Sequence, residues 1–194
     1  MKDFEYAAPQ TEAEVVDLLA SRWGHTEVLA GGTDLVPLMK QMIVTPQRVV
    51  NINEVPSMKG IQRDSDGVVL GTTTTLDELL DSPELDDYPA VKQVIRNISS
   101  IQLQSQGTLG GELCQRPRCW YFRGGRGLLA GNGELVQQGA NRRHAILGAQ
   151  GPAKFVSASR LAPALIALEA QVRIVGPTSR DEQLLPLENF YRTP

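Results

Sequence analysis

The stretch Glu27-Val28-Leu29-Ala30-Gly31-Gly32-Thr33-Asp34-Leu35-Val36-Pro37-Leu38-Met39 decides how this chain is read. Val28, Leu29 and Ala30 form an apolar run fit for a buried strand. The two glycines let the backbone take positive φ and approach a ligand without side-chain obstruction. Leu35 to Met39 then resume apolar residues at helical spacing. Such a strand–turn–helix unit points backbone N–H groups out of the turn, with a helix start behind them, and so attracts phosphate. Thr33 adds a hydroxyl donor. Asp34 either caps the helix or accepts from a ribose hydroxyl or ring N–H. A glycine pair also marks many turns that hold no ligand. A second double glycine stands in Thr108-Leu109-Gly110-Gly111. Two such turns on one chain read as a clamp closing on a pyrophosphate, with a plain strand bend as the alternative for the second. Glu112 beside it repels phosphate unless it points away.

Working outward, Thr11-Glu12-Ala13-Glu14 has the spacing of a capping box, and Val15, Leu18 and Leu19 continue as an apolar helical stripe that Gly24 stops. Arg48 to Ile52 is a second strand, which with Val28–Ala30 suggests a small parallel sheet. A boundary near Pro56 divides an N-terminal part, 1–56, from a second, 57–194. Ile61 and Gly67–Gly71 read as antiparallel strands around the polar turn Arg63–Asp66. Thr75 with Glu78 is another capping box, and Val91, Val94, Ile95 and Ile98 line one face of a helix. Leu103 to Gln106 reads as a polar lead into the second glycine turn. From Cys114 to Gly151 the chain turns glycine-rich, and loops of that length are usually functional or disordered. Leu161–Ala170 is a helix with Pro163 in its first turn, followed by a strand, Val172–Val175, and short turn and strand material to Pro194.

The 194 residues suffice for one domain or two small ones, and 41% apolar content can fill a core. A net charge of −3 supplies no basic field for nucleic acid or a membrane surface. No apolar run approaches the roughly 20 residues of a membrane span, and the N-terminus shows no signal-peptide pattern. Two cysteines, Cys114 and Cys119, fit a reducing compartment, and the whole reads as cytoplasmic. Their spacing is not that of a zinc knuckle and no second Cys/His pair accompanies them, so no metal site is expected. Arg116, Arg118, Arg123, Arg126, Arg142 and Arg143 concentrate positive charge, fit to meet an anionic cofactor tail or acidic partner, or simply to face water. No Ser/His/Asp or Walker pattern is present, so no catalytic residue is assigned.

Four motifs carry a resemblance. They are Ala30–Leu35 with Met39-Lys40; Thr108–Gly111 followed by Leu113-Cys114-Gln115-Arg116-Pro117-Arg118-Cys119-Trp120-Tyr121-Phe122-Arg123; Asn141–Gly148; and Leu161–Leu168. Together, and in this order, they resemble the FAD-binding medium subunit of molybdenum hydroxylases, the xanthine dehydrogenase and aldehyde oxidoreductase group. The resemblance implies an α+β chain of two α/β subdomains in a PCMH-type FAD-binding fold. A small N-terminal parallel sheet would carry the first glycine turn, and a larger, mainly antiparallel sheet with helices the second. It implies FAD as cofactor, held by Leu29, Ala30, Gly31, Gly32, Thr33, Asp34, Leu35, Thr108, Gly110 and Gly111. It implies a molybdenum-cofactor large subunit and a [2Fe–2S] small subunit as partners, with electrons passing from the clusters through FAD to NAD or oxygen.

The chain departs from the family pattern at several places. Leu103-Gln104-Ser105 replaces Ile-Arg-Asn, Glu112 stands where an Asn usually follows the double glycine, and Arg160 stands where an Asp usually contacts the flavin nucleotide. Arg160→Asp is therefore expected to tighten FAD. Close relatives add two cysteines after the Cys114-x4-Cys119 pair to bind a [4Fe–4S] cluster. Gly127–Gln138 contains none, and two thiolates cannot supply four ligands, so no cluster is expected. The family's C-terminal domain of about one hundred residues, an ordinary domain size, is expected to be absent. The departures also suit a paralogue that keeps the fold as a binding or assembly module without FAD, and a stand-alone flavin enzyme is a third reading.

Overall fold

A computed structural model describes residues 1–125, 156–178 and 180–191. The motif Asn141–Gly148 and most of the glycine-rich stretch lie outside the described residues.

Strands β1 (Glu5–Ala7), β2 (Thr26–Leu29) and β3 (Arg48–Asn51) form a parallel sheet in the order β1-β3-β2. Crossovers between parallel strands call for helices, and α1 (Glu12–Leu18) and α2 (Leu35–Lys40) supply them. The Thr11 hydroxyl accepts from the Glu14 N–H, and the Glu14 carboxylate accepts from the Thr11 N–H, so the expected capping box closes. The helix stops at Leu19, five residues short of Gly24, and Trp23 is left 75% exposed. β3 is the central strand because Val49 and Val50 are apolar on both faces, and both are buried. Val15 of α1, Val50, Ile52 and Val55 make one core cluster. β2 corrects an expectation. It is an edge strand, not a buried one. Its alternation turns Glu27 inward, 8% exposed, and Val28 outward, 43% exposed.

Beyond a 3-10 turn at Pro56–Met58, β4 (Ile61–Arg63) and β5 (Val68–Leu70) pair antiparallel. The Asp64 carboxylate accepts from the Asp66 and Gly67 N–H groups and shapes the turn between them, as the polar run suggests. Helices α3 (Leu76–Asp81), α4 (Pro89–Arg96), α5 (Ile101–Gln106), α6 (Leu109–Leu113), α7 (Trp120–Arg123) and α8 (Leu161–Ala167) follow, then the antiparallel pair β6 (Gln171–Val175) and β7 (Glu182–Pro186). Leu76 and Leu79 of α3, Val91 and Ile95 of α4, Ile98, and Leu161 of α8 centre the second core cluster. Each such buried side chain stabilises the fold by about 1.5–3 kcal/mol relative to exposure.

The α+β class stands, with parallel and antiparallel strands beside helices. The expected larger antiparallel sheet instead takes the form of two separate two-stranded pairs among the described residues. The polar lead Leu103–Gln106 is helical, as α5. It buries no residue, and is held by its Ser100 cap and by Gln104, whose Nε2 donates to the Ile95 and Ile98 carbonyls. No helix among the described residues is long and apolar enough to cross a membrane.

Candidate functional site

The first glycine turn begins where β2 ends. Leu29 and Ala30 are half-buried, and the Ala30 carbonyl accepts from Asn53 Nδ2 at 3.0 Å. Gly32 has φ +70°, where an L side chain is strained, and a Cβ there would lie 3.2 Å from both the Leu29 and Val36 side chains. Gly31 faces inward. A Cβ on it would run into the carbonyl oxygen of Gln106, so the turn packs directly against the chain two residues before Thr108. The structure thus brings the two predicted segments side by side. Among the described residues, the N–H groups of Gly31, Gly32, Thr33, Asp34 and Leu35 donate to no protein acceptor, whereas Val36 N–H already bonds to Gly32 C=O. Free amides at a turn fit an anion such as phosphate.

The second segment corrects an expectation. Thr108–Gly111 is no turn but the capped start of α6, with the Thr108 hydroxyl accepting from Gly111 N–H at 3.2 Å. Leu109 N–H donates to Thr74 C=O and Gly110 N–H to Thr72 C=O, at 2.9 and 2.8 Å. These amides are engaged within the protein. A Cβ at Gly110 would strike the Thr72 hydroxyl, so the packing itself requires glycine there. Only Thr108, 3% exposed, has an N–H without an acceptor among the described residues. A buried amide left so costs about 1–3 kcal/mol, which a ligand oxygen would relieve.

Asp34 turns to partners from a distant part of the chain. It makes no side-chain cap to α2. Its Oδ2 accepts from Arg116 N–H at 2.9 Å and its Oδ1 from Arg123 Nη2 at 2.9 Å, with Arg118 Nη2 3.7 Å away. Arg116 reaches Glu27 Oε2 with Nη2 at 2.5 Å and stacks its guanidinium 4.6 Å from the Trp23 ring centre. Three of the clustered arginines therefore face carboxylates of the N-terminal part. Glu27 escaped the sequence reading. A lone acid inside an apolar strand was its one signal.

Glu112 is buried, and its carboxylate faces Arg160. Arg160 donates to it through its N–H at 2.9 Å, Nε at 3.0 Å and Nη2 at 3.1 Å, and Gln115 Nε2 donates as well. Two departures from the expected pattern thus form one ion pair, and Arg160→Asp would set a new carboxylate against Glu112.

Cys114 is exposed on one side, yet burial around its sulfur pushes the thiol up, with Arg116 pulling it partly back. Burial likewise pushes up the phenol of Tyr191, whose hydroxyl donates to Leu113 C=O at 3.0 Å; bonds to Ser159 and Ser157 offset part of this. Both acids have raised folded-state values. Their contribution is present below the unfolded values, about 8.5 for Cys and 10 for Tyr, and is lost as pH rises through the folded ones. Stability should fall above about pH 9, and Tyr191→Phe should flatten that fall in thermal unfolding followed against pH. No group of three or more His, Cys, Asp or Glu residues among the described residues is placed to hold a metal.

The family model described as "FAD binding domain in molybdopterin dehydrogenase" matches residues 2–194. The aldehyde oxidoreductase FAD-binding subunit PaoB of Escherichia coli K12 is 31% identical over 199 aligned positions, covering 100% of this chain and 62% of that protein. The carbon monoxide dehydrogenase medium chain of Hydrogenophaga pseudoflava is 33% identical over 111 residues, covering 57% of this chain and 39% of its own. A solved structure of carbon monoxide dehydrogenase from that organism superposes with a TM-score of 0.55, at 33% identity, over 58% of this chain and 39% of that one. Quinoline 2-oxidoreductase from Pseudomonas putida 86 gives 0.54 at 26% identity. The chain spans two to three fifths of the length of these curated relatives.

Proposed function

Because the chain belongs to the family of FAD-binding domains of molybdopterin dehydrogenases, we propose that it is the flavin-holding part of an electron-transfer subunit in a molybdenum-containing hydroxylase or dehydrogenase. FAD is the cofactor of this family. Bound FAD would supply a relay between iron–sulfur clusters and NAD or oxygen, chemistry that belongs to the cofactor. The observation that carries the proposal is the run of amides from Gly31 to Leu35, which with the N–H of buried Thr108 have no acceptor among the described residues. These groups would hold phosphate oxygens, with the Thr33 hydroxyl exposed next to them. Leu29, Ala30, Gly110 and Gly111 would form close-packed walls, not donors, and Asp34 would hold the turn through its arginines. The division at residue 56, the PCMH-type arrangement and a cytoplasmic setting belong to the same proposal. So do a molybdenum-cofactor large subunit and a [2Fe–2S] small subunit as partners, in an assembly of xanthine dehydrogenase or aldehyde oxidoreductase type.

Purified protein titrated with FAD should turn yellow and quench flavin fluorescence. Protein that stays colourless after incubation with FAD would refute the proposal and favour an assembly module that keeps the fold without flavin. The engaged amides of α6 are what give that second reading weight. Gly32→Asp should abolish FAD binding by setting a carboxylate against the phosphate, while Gly32→Asn, neutral and equally tolerant of positive φ, should retain more of it. Equal flavin content in the two folded variants would sink the role of the turn.

A further inference from the structure

The segment from Gln115 to the end of α7 touches both glycine-bearing segments, and the flavin chemistry leaves it unused. On one side, Arg116 and Arg123 hold Asp34 and Glu27. On the other, Gln115 donates to Glu112 within α6. The two sides are joined, because Arg118 Nη2 donates to Gln115 Oε1 at 2.8 Å, and the backbone N–H that Asp34 accepts belongs to the residue after Gln115. Arg123 also closes the segment on itself, its Nε and Nη2 donating to the Pro117 and Arg116 carbonyls at 3.0 and 3.1 Å. The carboxylates at the ends are largely withdrawn from water: side-chain exposure is 18% for Asp34, 10% for Glu27 and 4% for Glu112. Charged hydrogen bonds in such surroundings are strong and geometrically demanding.

We propose that residues 115–123 are a charge strap that sets the first glycine turn against α6, and that Arg123, Arg116 and Gln115 are positioning residues for the cofactor site. The part about the cofactor rests on the flavin reading above; the mechanical part does not. Asp34 is the point of leverage. Since it does not cap α2, the turn is held from across the chain, by residues more than eighty positions away. A planar guanidinium with fixed donors suits this task, and lysine reproduces only its charge.

Two measurements decide it. Hydrogen exchange of the FAD-free protein reads the mechanical link. Gln115→Ala removes bonds only toward α6 and Arg118, yet it should speed exchange at Val36 and Leu38, whose N–H groups bond to Gly32 and Asp34. A change confined to Leu109–Leu113 overturns the strap. FAD titration reads the positioning role. Arg123→Gln should weaken FAD about tenfold, a typical coupling between linked sites, and Arg123→Lys should recover part of that loss. An Arg123→Gln protein that is folded and keeps the wild-type Kd overturns it. If Arg123→Gln does not fold, Gln115→Ala serves in the same titration with the same criterion. Wild-type protein that binds no FAD would refute the flavin reading and the positioning role, while the exchange experiment would still decide the strap.

Discussion

Arg160→Asp is expected to destabilise the protein by about 3 kcal/mol, the lower end of what breaking a buried ion pair costs. Glu112 is the buried partner, with a side chain 4% exposed, and it takes three hydrogen bonds from Arg160 and one from Gln115. Removing the guanidinium leaves a carboxylate in the protein with only the residue-160 N–H and Gln115 to meet it. Placing a second carboxylate opposite adds repulsion. The 45% exposure of Arg160 keeps the loss from rising further, since water reaches that end of the pair. For a chain of this size the loss lowers the thermal midpoint by roughly 6–12 °C. Arg160→Lys should cost about 1 kcal/mol, keeping charge but not the fork. The decisive variant is the double one, Glu112→Asn with Arg160→Asp, which sets at both places the residues the resemblance leads one to expect. It should recover most of the stability, and a midpoint as low as that of Arg160→Asp alone would show that the two positions are not coupled.

This pair shows where sequence reading stops. Both charges are visible in the sequence, but a separation of 48 residues hides that they meet, and read singly each looks like damage to a flavin site. The same holds for Glu27 and Asp34, whose partners lie 89 and 82 to 89 residues on. What was legible was local. Both capping boxes, at Thr11–Glu14 and Thr75–Glu78, formed as their three-residue spacing requires, and Glu78 is held below the usual carboxylate range chiefly by the Thr75 N–H. The hairpin around Asp64 and the strand at Arg48–Asn51 were likewise written in short-range pattern. α5 was not, because Ile-Gln-Leu-Gln-Ser-Gln shows no helical stripe, and Ile101 and Leu103 stay exposed. Its stability comes from Gln104 reaching back to the end of α4, a tertiary contact that propensity does not register. Glycine misled in the same way. At Gly32 it marks positive φ, as expected of a turn, but at Gly110 it marks a helix start pressed against Thr72.

Gly31→Ala carries the other large effect, and it separates two roles that a glycine at this place can have. If Gly31 were glycine only to admit a ligand, alanine would weaken FAD and leave the apoprotein as stable as before. The geometry says otherwise. The added Cβ meets the Gln106 carbonyl oxygen and carbon and the Gly107 Cα, all backbone atoms, so no rotamer change can relieve it. Either the β2–α2 turn or the α5–α6 junction has to move. Both are anchored, the first by the Asn53 bond to Ala30 and by Arg116 and Arg123, the second by Leu76 N–H on Gly107 C=O at 2.9 Å. Overpacking of this kind costs 1–3 kcal/mol where side chains yield, and more where only backbone can, so a loss of about 4 kcal/mol is expected. Urea unfolding of the FAD-free protein measures it. Gly111→Ala is the control. Its Cβ would meet only the Thr108 hydroxyl, at 3.0 Å, and its other side is open, so a loss below about 1 kcal/mol should result. Equal stability of Gly31→Ala and wild type would mean that the two glycine segments do not touch, and would remove the wall against which the Gly31–Leu35 amides are set.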